Sequence, residues 1–294
     1  MMSIKQRLVS WRNCVLGIGL STISIIVIAN PIVIRHDVKD ESYLATQADF
    51  PPLATLYKIG AHGTLVHKKW VVTAAHTVFC VTPGTAIRIG DKIVEVKARY
   101  SHPDYVRNGD NDIALIELAE PLNSPVTARL YAGSNEVGKD VWFIGSGGTG
   151  NGLTGQTVNY KENAGVLRKA QNRIESARGN EITFTFDKGV KALPLEGVSG
   201  NGDSGGPAFI KRGGEYWLLG ISSRADSWFK EMGEYGVNEV YTRVSAHLPW
   251  IEAMFAATPR QRREMSSAER FVQPGIDDID SICHQINYTP VKES

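Results

Sequence analysis

Ser204 stands in LEGVSGNGDSGGPAFI (195–210), a stretch with five glycines and an acid, Asp203, directly before the serine. Glycine admits backbone conformations that other residues avoid, so such a loop can present a hydroxyl and bare peptide N–H groups at close range. A serine hydroxyl is a weak nucleophile until a neighbouring base takes its proton. Two other segments carry the missing groups. VVTAAH ends in His76, and NDIALIEL carries Asp112 ahead of an apolar run. An imidazole can serve as general base, and a carboxylate can fix its tautomer and stabilise the imidazolium. The chemistry would be attack on an acyl carbonyl, with a covalent acyl-serine on the way.

Gly202-x-Ser204-x-Gly206 also satisfies the nucleophile-elbow pattern of α/β-hydrolases, which place their acid and histidine after the serine. Only His247 and His284 follow Ser204, and no alternation of strands and helices is visible. The order His76, Asp112, Ser204 is instead that of the chymotrypsin-type triad. TAAH, DIAL and GDSGGP resemble the signature segments of the trypsin/chymotrypsin-like serine proteases. GTLV, HPDY and VYTRVSAHLPWI extend the resemblance from about Phe50 to Ala257, and GTGNGLTG and LRKAQNRIE look closest to its bacterial trypsin-like members.

That resemblance implies an all-β fold of two antiparallel six-stranded β-barrels with the triad between them and a C-terminal helix. It implies an oxyanion hole from the N–H groups of Gly202 and Ser204, and protein or peptide substrates. It implies no cofactor and no metal. Asp203 would pair with a processed N-terminus, for which Ile32 and Ile34 in NPIVIRHD are the candidates. The substrate pocket would be formed by Val198, Ser223, Arg224, Ala225 and Glu239. With Val198 at the base, cationic specificity falls to Glu239: cleavage after Lys or Arg is expected, with an apolar or aromatic preference as the alternative if Arg224 neutralises Glu239 or Glu239 points to solvent. A catalytically silent fold that binds a partner protein is the alternative from another class. The departures concern cysteines. Thr77 follows the histidine where a cysteine is usual, and Gly200 replaces another beside the serine loop.

The elements that must position these residues are short. ATLYKIG, GTLVHKKWVVTAAH, TAIRIG, KIVEVKARY, DIALIEL, VWFIGSGG, EITFTFD, GPAFI, YWLLGISS and VNEVYTRV read as strands, rich in β-branched and aromatic residues and bounded by turn formers. Many short strands without a βαβ rhythm indicate an all-β barrel or sandwich. Residues 122–138 are expected to join the halves. HLPWIEAMFAA reads as a helix with Pro249 in its first turn. The protease domain is expected over 50–257, after an N-terminal or activation segment, 30–49, and before a charged, partly packed tail, 258–294.

Residues 1–29 differ from the rest. Lys5, Arg7 and Arg12 precede an uncharged run, 13–34, and Val27-Ile28-Ala29 resembles a cleavage site. This reads as a secretory signal peptide, with an uncleaved membrane anchor as the alternative. The chain would then be secreted or periplasmic. Removal of Cys14 would leave Cys80 and Cys283, expected to form one disulfide, the alternative being two free thiols. The net charge of +1 gives no case for a nucleic-acid partner.

Overall fold

The structure is a computed structural model that describes residues 32–123, 125–163, 165–226, 230–270 and 277–290. The expected signal peptide or anchor lies outside the described residues. Strands β1 (Ile32–Ile34), β2 (Leu53–Tyr57), β3 (Gly60–His67), β4 (Trp70–Thr73), β5 (Ala86–Ile89), β6 (Lys92–Ser101) and β7 (Ala114–Leu118) come first. They are followed by β8 (Arg129–Leu130), β9 (Asp140–Gly145), β10 (Thr149–Asn151), β11 (Gly155–Val158), β12 (Arg168–Arg173) and β13 (Ser176–Arg178). The last strands are β14 (Glu181–Thr185), β15 (Gly197–Val198), β16 (Pro207–Arg212), β17 (Glu215–Asp226) and β18 (Asn238–Arg243). Helices α1 (Val244–Ala256), α2 (Pro259–Glu264) and α3 (Ile279–Ile286) close the chain.

The first unit is a closed barrel in the order β2-β3-β4-β7-β6-β5. Closure removes the unpaired edges that an open sheet presents. The second unit is a curled sheet, β12-β9-β16-β17-β18-β14-β13, with β8 on β17 and a four-stranded sheet β11-β10-β1-β15 beside it. The expected pair of barrels is therefore present, with the second left as a curled half-barrel. β1 belongs to this second unit, parallel to β10 and antiparallel to β15.

One apolar cluster crosses between the units. Trp70, Val72 and Leu115 of the first pack with Ile144, Phe209, Leu218 and Ile221 of the second. Each such side chain is worth roughly 1.5–3 kcal/mol on burial, so the halves hold each other in register. Helix α1 begins three residues before the expected start, which puts Pro249 inside it. Ile251 and Met254 bury against the inter-unit cluster, as the periodicity requires.

The tail is more firmly placed than its polar composition suggests. In α2, Arg262 reaches Glu117 at 3.1 Å and lies over the Trp70 ring. Helix α3 docks on the first barrel, where Cys283 forms a disulfide with Cys80 across 203 residues. Among the described residues no helix is long and apolar enough to cross a membrane.

The bridge generates a direct expectation. Alkylation of the denatured, unreduced protein should leave Cys80 and Cys283 unlabelled, with label only on Cys14 where that residue is retained. The Cys80→Ser/Cys283→Ser pair should lower stability by about 2–4 kcal/mol in denaturant titrations.

Candidate active site

His76 enters the site on a short 3-10 turn, Ala75–Cys80, directly after β4. Asp112 lies just ahead of β7, which pairs with β4 antiparallel, so the two residues come from adjacent strand ends. Asp112 Oδ2 accepts from His76 Nδ1 at 2.7 Å, and Oδ1 accepts from the His76 backbone N–H at 3.0 Å. Ser223 Oγ donates to Oδ2 at 2.7 Å, and Thr242 Oγ1 donates to the Asp112 carbonyl at 2.8 Å. Burial raises the Asp112 pKa, but the His76 charge and these donors outweigh it and hold the carboxyl below its usual range. Burial likewise opposes a charged His76, and the Asp112 carboxylate more than compensates, so the imidazole sits above its ordinary value. The pair is therefore set to accept a proton.

Ser204 lies in the loop between β15 and β16 and lines the same cavity, about 560 Å³, as His76 and Asp112. No hydrogen bond joins Ser204 to His76 in this structure; such bonds are often long before a substrate is bound. The loop is shaped by glycine. Gly202 has φ +96°, and a Cβ there would come within 2.8 Å of Tyr160 Cβ. A Cβ on Gly205, at φ +77°, would meet Thr73 Oγ1 at 2.2 Å. The loop is clamped from the first barrel, where the Ala61 and His62 N–H groups donate to the Gly202 and Ser204 carbonyls at 2.7 and 2.8 Å. Neither the Gly202 nor the Ser204 amide donates a backbone hydrogen bond among the described residues. Both are thus open to an oxyanion.

The brace lost with the missing cysteine is replaced by a polar knot. Thr77 Oγ1 donates to the Ala74 carbonyl at 2.8 Å and lies 3.0 Å from Thr73 Oγ1. The Tyr57 hydroxyl donates to the Thr77 carbonyl and accepts from Cys80 N–H.

The pocket residues divide. Ser223, Arg224, Ala225 and Glu239 line the cavity. Val198 does not: it is fully buried behind it, packed with Val33, Phe186 and Tyr235 because β15 pairs with β1. Ser223 has a second task in holding Asp112, which the pattern of residue types alone did not suggest. Two alternatives for Glu239 do not hold. It is buried rather than turned to solvent, and Arg224 does not neutralise it, because Arg224 pairs with Glu181 at 2.7 Å. Glu239 Oε1 is buried without a hydrogen-bond partner, and burial, with the nearby Asp203 charge, pushes its pKa well above the usual carboxyl value.

Asp203 points away from the cavity into the second unit. Its carboxylate accepts from the N–H groups of Gly147 at 2.6 Å and Gly200 at 2.9 Å, and the nearby N–H groups of Ile32 and Ser146 also favour its charged form. Burial still lifts its pKa to about 7. His62 Nε2 lies 3.9 Å away, but the ring accepts from the Ser146 N–H at 3.0 Å, and burial lowers its pKa to about 4. It is therefore neutral and supplies no counter-charge. Ile32 has φ +60°, a conformation that a β-branched residue adopts only under strain.

A double β-barrel with an aspartate–histidine pair facing a serine loop defines the chymotrypsin-like class of folds. The Trypsin family profile matches residues 42–251. Serine protease SSP1 of Scolopendra subspinipes is 30% identical over 233 residues, covering 70% of this chain and 78% of that protein. Trypsin of Phaedon cochleariae is 31% identical over 207 residues, covering 64% and 76%. Vitamin K-dependent protein C of Mus musculus is 28% identical over 237 residues, covering 71% of this chain; the match spans about half that protein's length, 50%. The chain belongs to the trypsin family.

Asp203 makes stability depend on pH in a stated direction. Its pKa in the uncut folded chain, about 7, lies above the unfolded value of 3.8. The folded state thus binds the extra proton, and stability is full below about pH 4 and falls as pH rises through 7. Urea titrations of uncut Ser204→Ala protein should show this fall. Asp203→Asn should remove its share of the slope and leave the parts due to Glu239 and Glu196, whose carboxyl pKa values burial also raises.

Proposed function

We propose that the protein is an exported serine endopeptidase that hydrolyses peptide bonds through an acyl-enzyme. The observation that carries this is the Asp112–His76 pair, 2.7 Å apart, opening onto the same cavity as Ser204. Ser204 Oγ attacks the scissile carbonyl while His76 Nε2 takes its proton. The oxyanion accepts from the Gly202 and Ser204 N–H groups. The tetrahedral intermediate collapses as His76 protonates the leaving amine, and water repeats the sequence to release the acid. Asp112, held by Ser223 and Thr242, keeps His76 Nδ1 protonated throughout. Export is supported by the disulfide and by the N-terminal apolar run. Kinship with the bacterial trypsin-like members is part of this reading and is supported by GTGNGLTG and LRKAQNRIE.

Activation follows from Asp203. Cleavage before Ile32 would turn its N–H into an ammonium beside a buried carboxylate that lacks a cation, and would abolish the strained φ, which exists only in the uncut chain. Both effects favour the cut form. Mass analysis of active enzyme should find Ile32 as first residue; activity in a chain that retains residues 1–31 would rule the mechanism out.

For specificity we propose Glu239 as the acceptor of a Lys or Arg side chain. An acid without a partner at the pocket floor favours a cation over an apolar group, which would leave it unpaired.

A fluorophosphonate should label Ser204 and no other residue; absence of label would favour the silent, partner-binding alternative. Ser204→Ala and His76→Ala should each lower kcat by about 10⁶, and the double variant by little more, because the pair acts as a unit. Glu239→Gln should cut kcat/KM for Lys and Arg peptides by about 100-fold or more while sparing aromatic ones. An unchanged preference in a peptide library would remove Glu239 from the pocket's function.

A further inference from the structure

The cavity around Ser204 is lined by two chemically different groups. One is polar and comes from the second unit: Ser223, Arg224 and Glu239. The other is apolar: Ile59 from the β2–β3 turn, Phe79 just after His76, and Ile282 and Ile286 of α3. The last two lie beyond residue 251, where the match to the Trypsin family ends. The α3 part of this wall is therefore an addition carried by the tail.

Helix α3 is built to hold a fixed position. Ile279, Ile282, Cys283 and Ile286 recur at i, i+3, i+4 and i+7, giving one apolar stripe. Cys283 and Ile286 sink into the first barrel's core, and Ile282 stays partly exposed at the cavity. The disulfide to Cys80 fixes the middle of the helix. Lys58 N–H donates to the Ile286 carbonyl at 2.9 Å, and Asn287 Nδ2 donates to the Cys80 carbonyl at 3.0 Å. Arg270 Nε reaches the Phe79 carbonyl at 3.0 Å, so the tail also holds the aromatic neighbour.

The direction of a bound peptide follows from the site. The side chain before the scissile bond enters the pocket above Glu239, which places the acyl half along Ser223 and Arg224 of β17. The leaving half must pass on the other side of Ser204. There the start of β3 is bonded directly to the nucleophile loop through Ala61 and His62, and Ile59, Phe79 and α3 face the cavity.

We propose that α3 forms the binding wall for the part of the substrate that follows the scissile bond, and that it selects an apolar side chain there. The proposal rests on the endopeptidase reading above. It makes the C-terminal tail a specificity element, positioned by the Cys80–Cys283 bridge, with Ile282 as its contact residue.

The test uses the active enzyme, two quenched peptides identical up to the scissile bond, and an ester that ends at it. One peptide continues with Leu-Leu, the other with Ser-Ser. Wild type should favour the Leu-Leu peptide by about 10-fold or more in kcat/KM. Ile282→Ser and the milder Ile282→Ala should bring that ratio towards one, each read against its own ester rate. A second measurement needs no variant. During ester hydrolysis by wild type, Leu-Leu amide should intercept the acyl-enzyme better than Ser-Ser amide, its amine nitrogen bonding to the acyl carbon and giving a proton to His76, which passes it to Ser204 Oγ as that oxygen departs. No Leu preference in wild type, or an undiminished ratio in a variant that still turns over the ester, overturns the proposal. An ester left intact by wild type, with Ser204 unlabelled by fluorophosphonate, overturns the endopeptidase reading itself and this proposal with it.

Discussion

A single buried carboxylate, Asp203, organises the second half of the molecule. The peptide N–H groups of Gly147 and Gly200 donate to it, and those of Ile32 and Ser146 stand close enough to favour its charge. Those groups belong to the N-terminal strand, to the turn after β9 and to the loop that carries Ser204. An anion removed from water needs this many partners, so each of the three segments is fixed by the same requirement. The Ser204 loop thus takes its shape from a group that faces away from the reaction. The positive φ of Gly202, directly before Asp203, is where the backbone turns to let one residue look inward and the next look out.

Asp112 is the counterpart in the first half. It too is buried, but its acceptors are matched mostly by side chains: the His76 ring Nδ1–H and the Ser223 hydroxyl, with the His76 backbone N–H as the third donor. Ser223 comes from β17, so the second unit completes a carboxylate site that the first begins. Neither half contains a whole reactive centre, and the shared apolar cluster of Val72, Leu115, Phe209 and Ile221 keeps the two contributions in register.

Much of this was legible in the residues. Short runs rich in β-branched and aromatic residues, bounded by turn formers, located the strands, and the serine loop, the histidine and the aspartate stood in segments specific enough to order them. The Cys80–Cys283 bridge followed from counting the thiols left to an exported chain. Other features depend on contacts between distant segments and leave no local trace. Val198 was expected at the pocket base, yet pairing of β15 with β1 buries it behind the cavity. Arg224 looked available to Glu239, but Glu181, on a strand that no spacing rule connects to it, takes it instead. The seat of α3 was hidden for a related reason. The tail's charge masks a four-residue apolar stripe, and the partner of that stripe lies some 200 residues away on the first barrel, as the 203-residue span of the disulfide shows.

The two ends of the described chain are exchanged between the units. β1, which precedes the whole first barrel, is woven into the second unit between β10 and β15. Helix α3, which follows the whole second unit, is bonded to the first. The polypeptide is therefore a reciprocal clasp rather than two beads on a string. Prising the barrels apart would require withdrawing a strand at one end and shearing a covalently held helix at the other. Nicking the segment between β7 and β8 would leave both straps in place, so a protein cut there would still travel as one body.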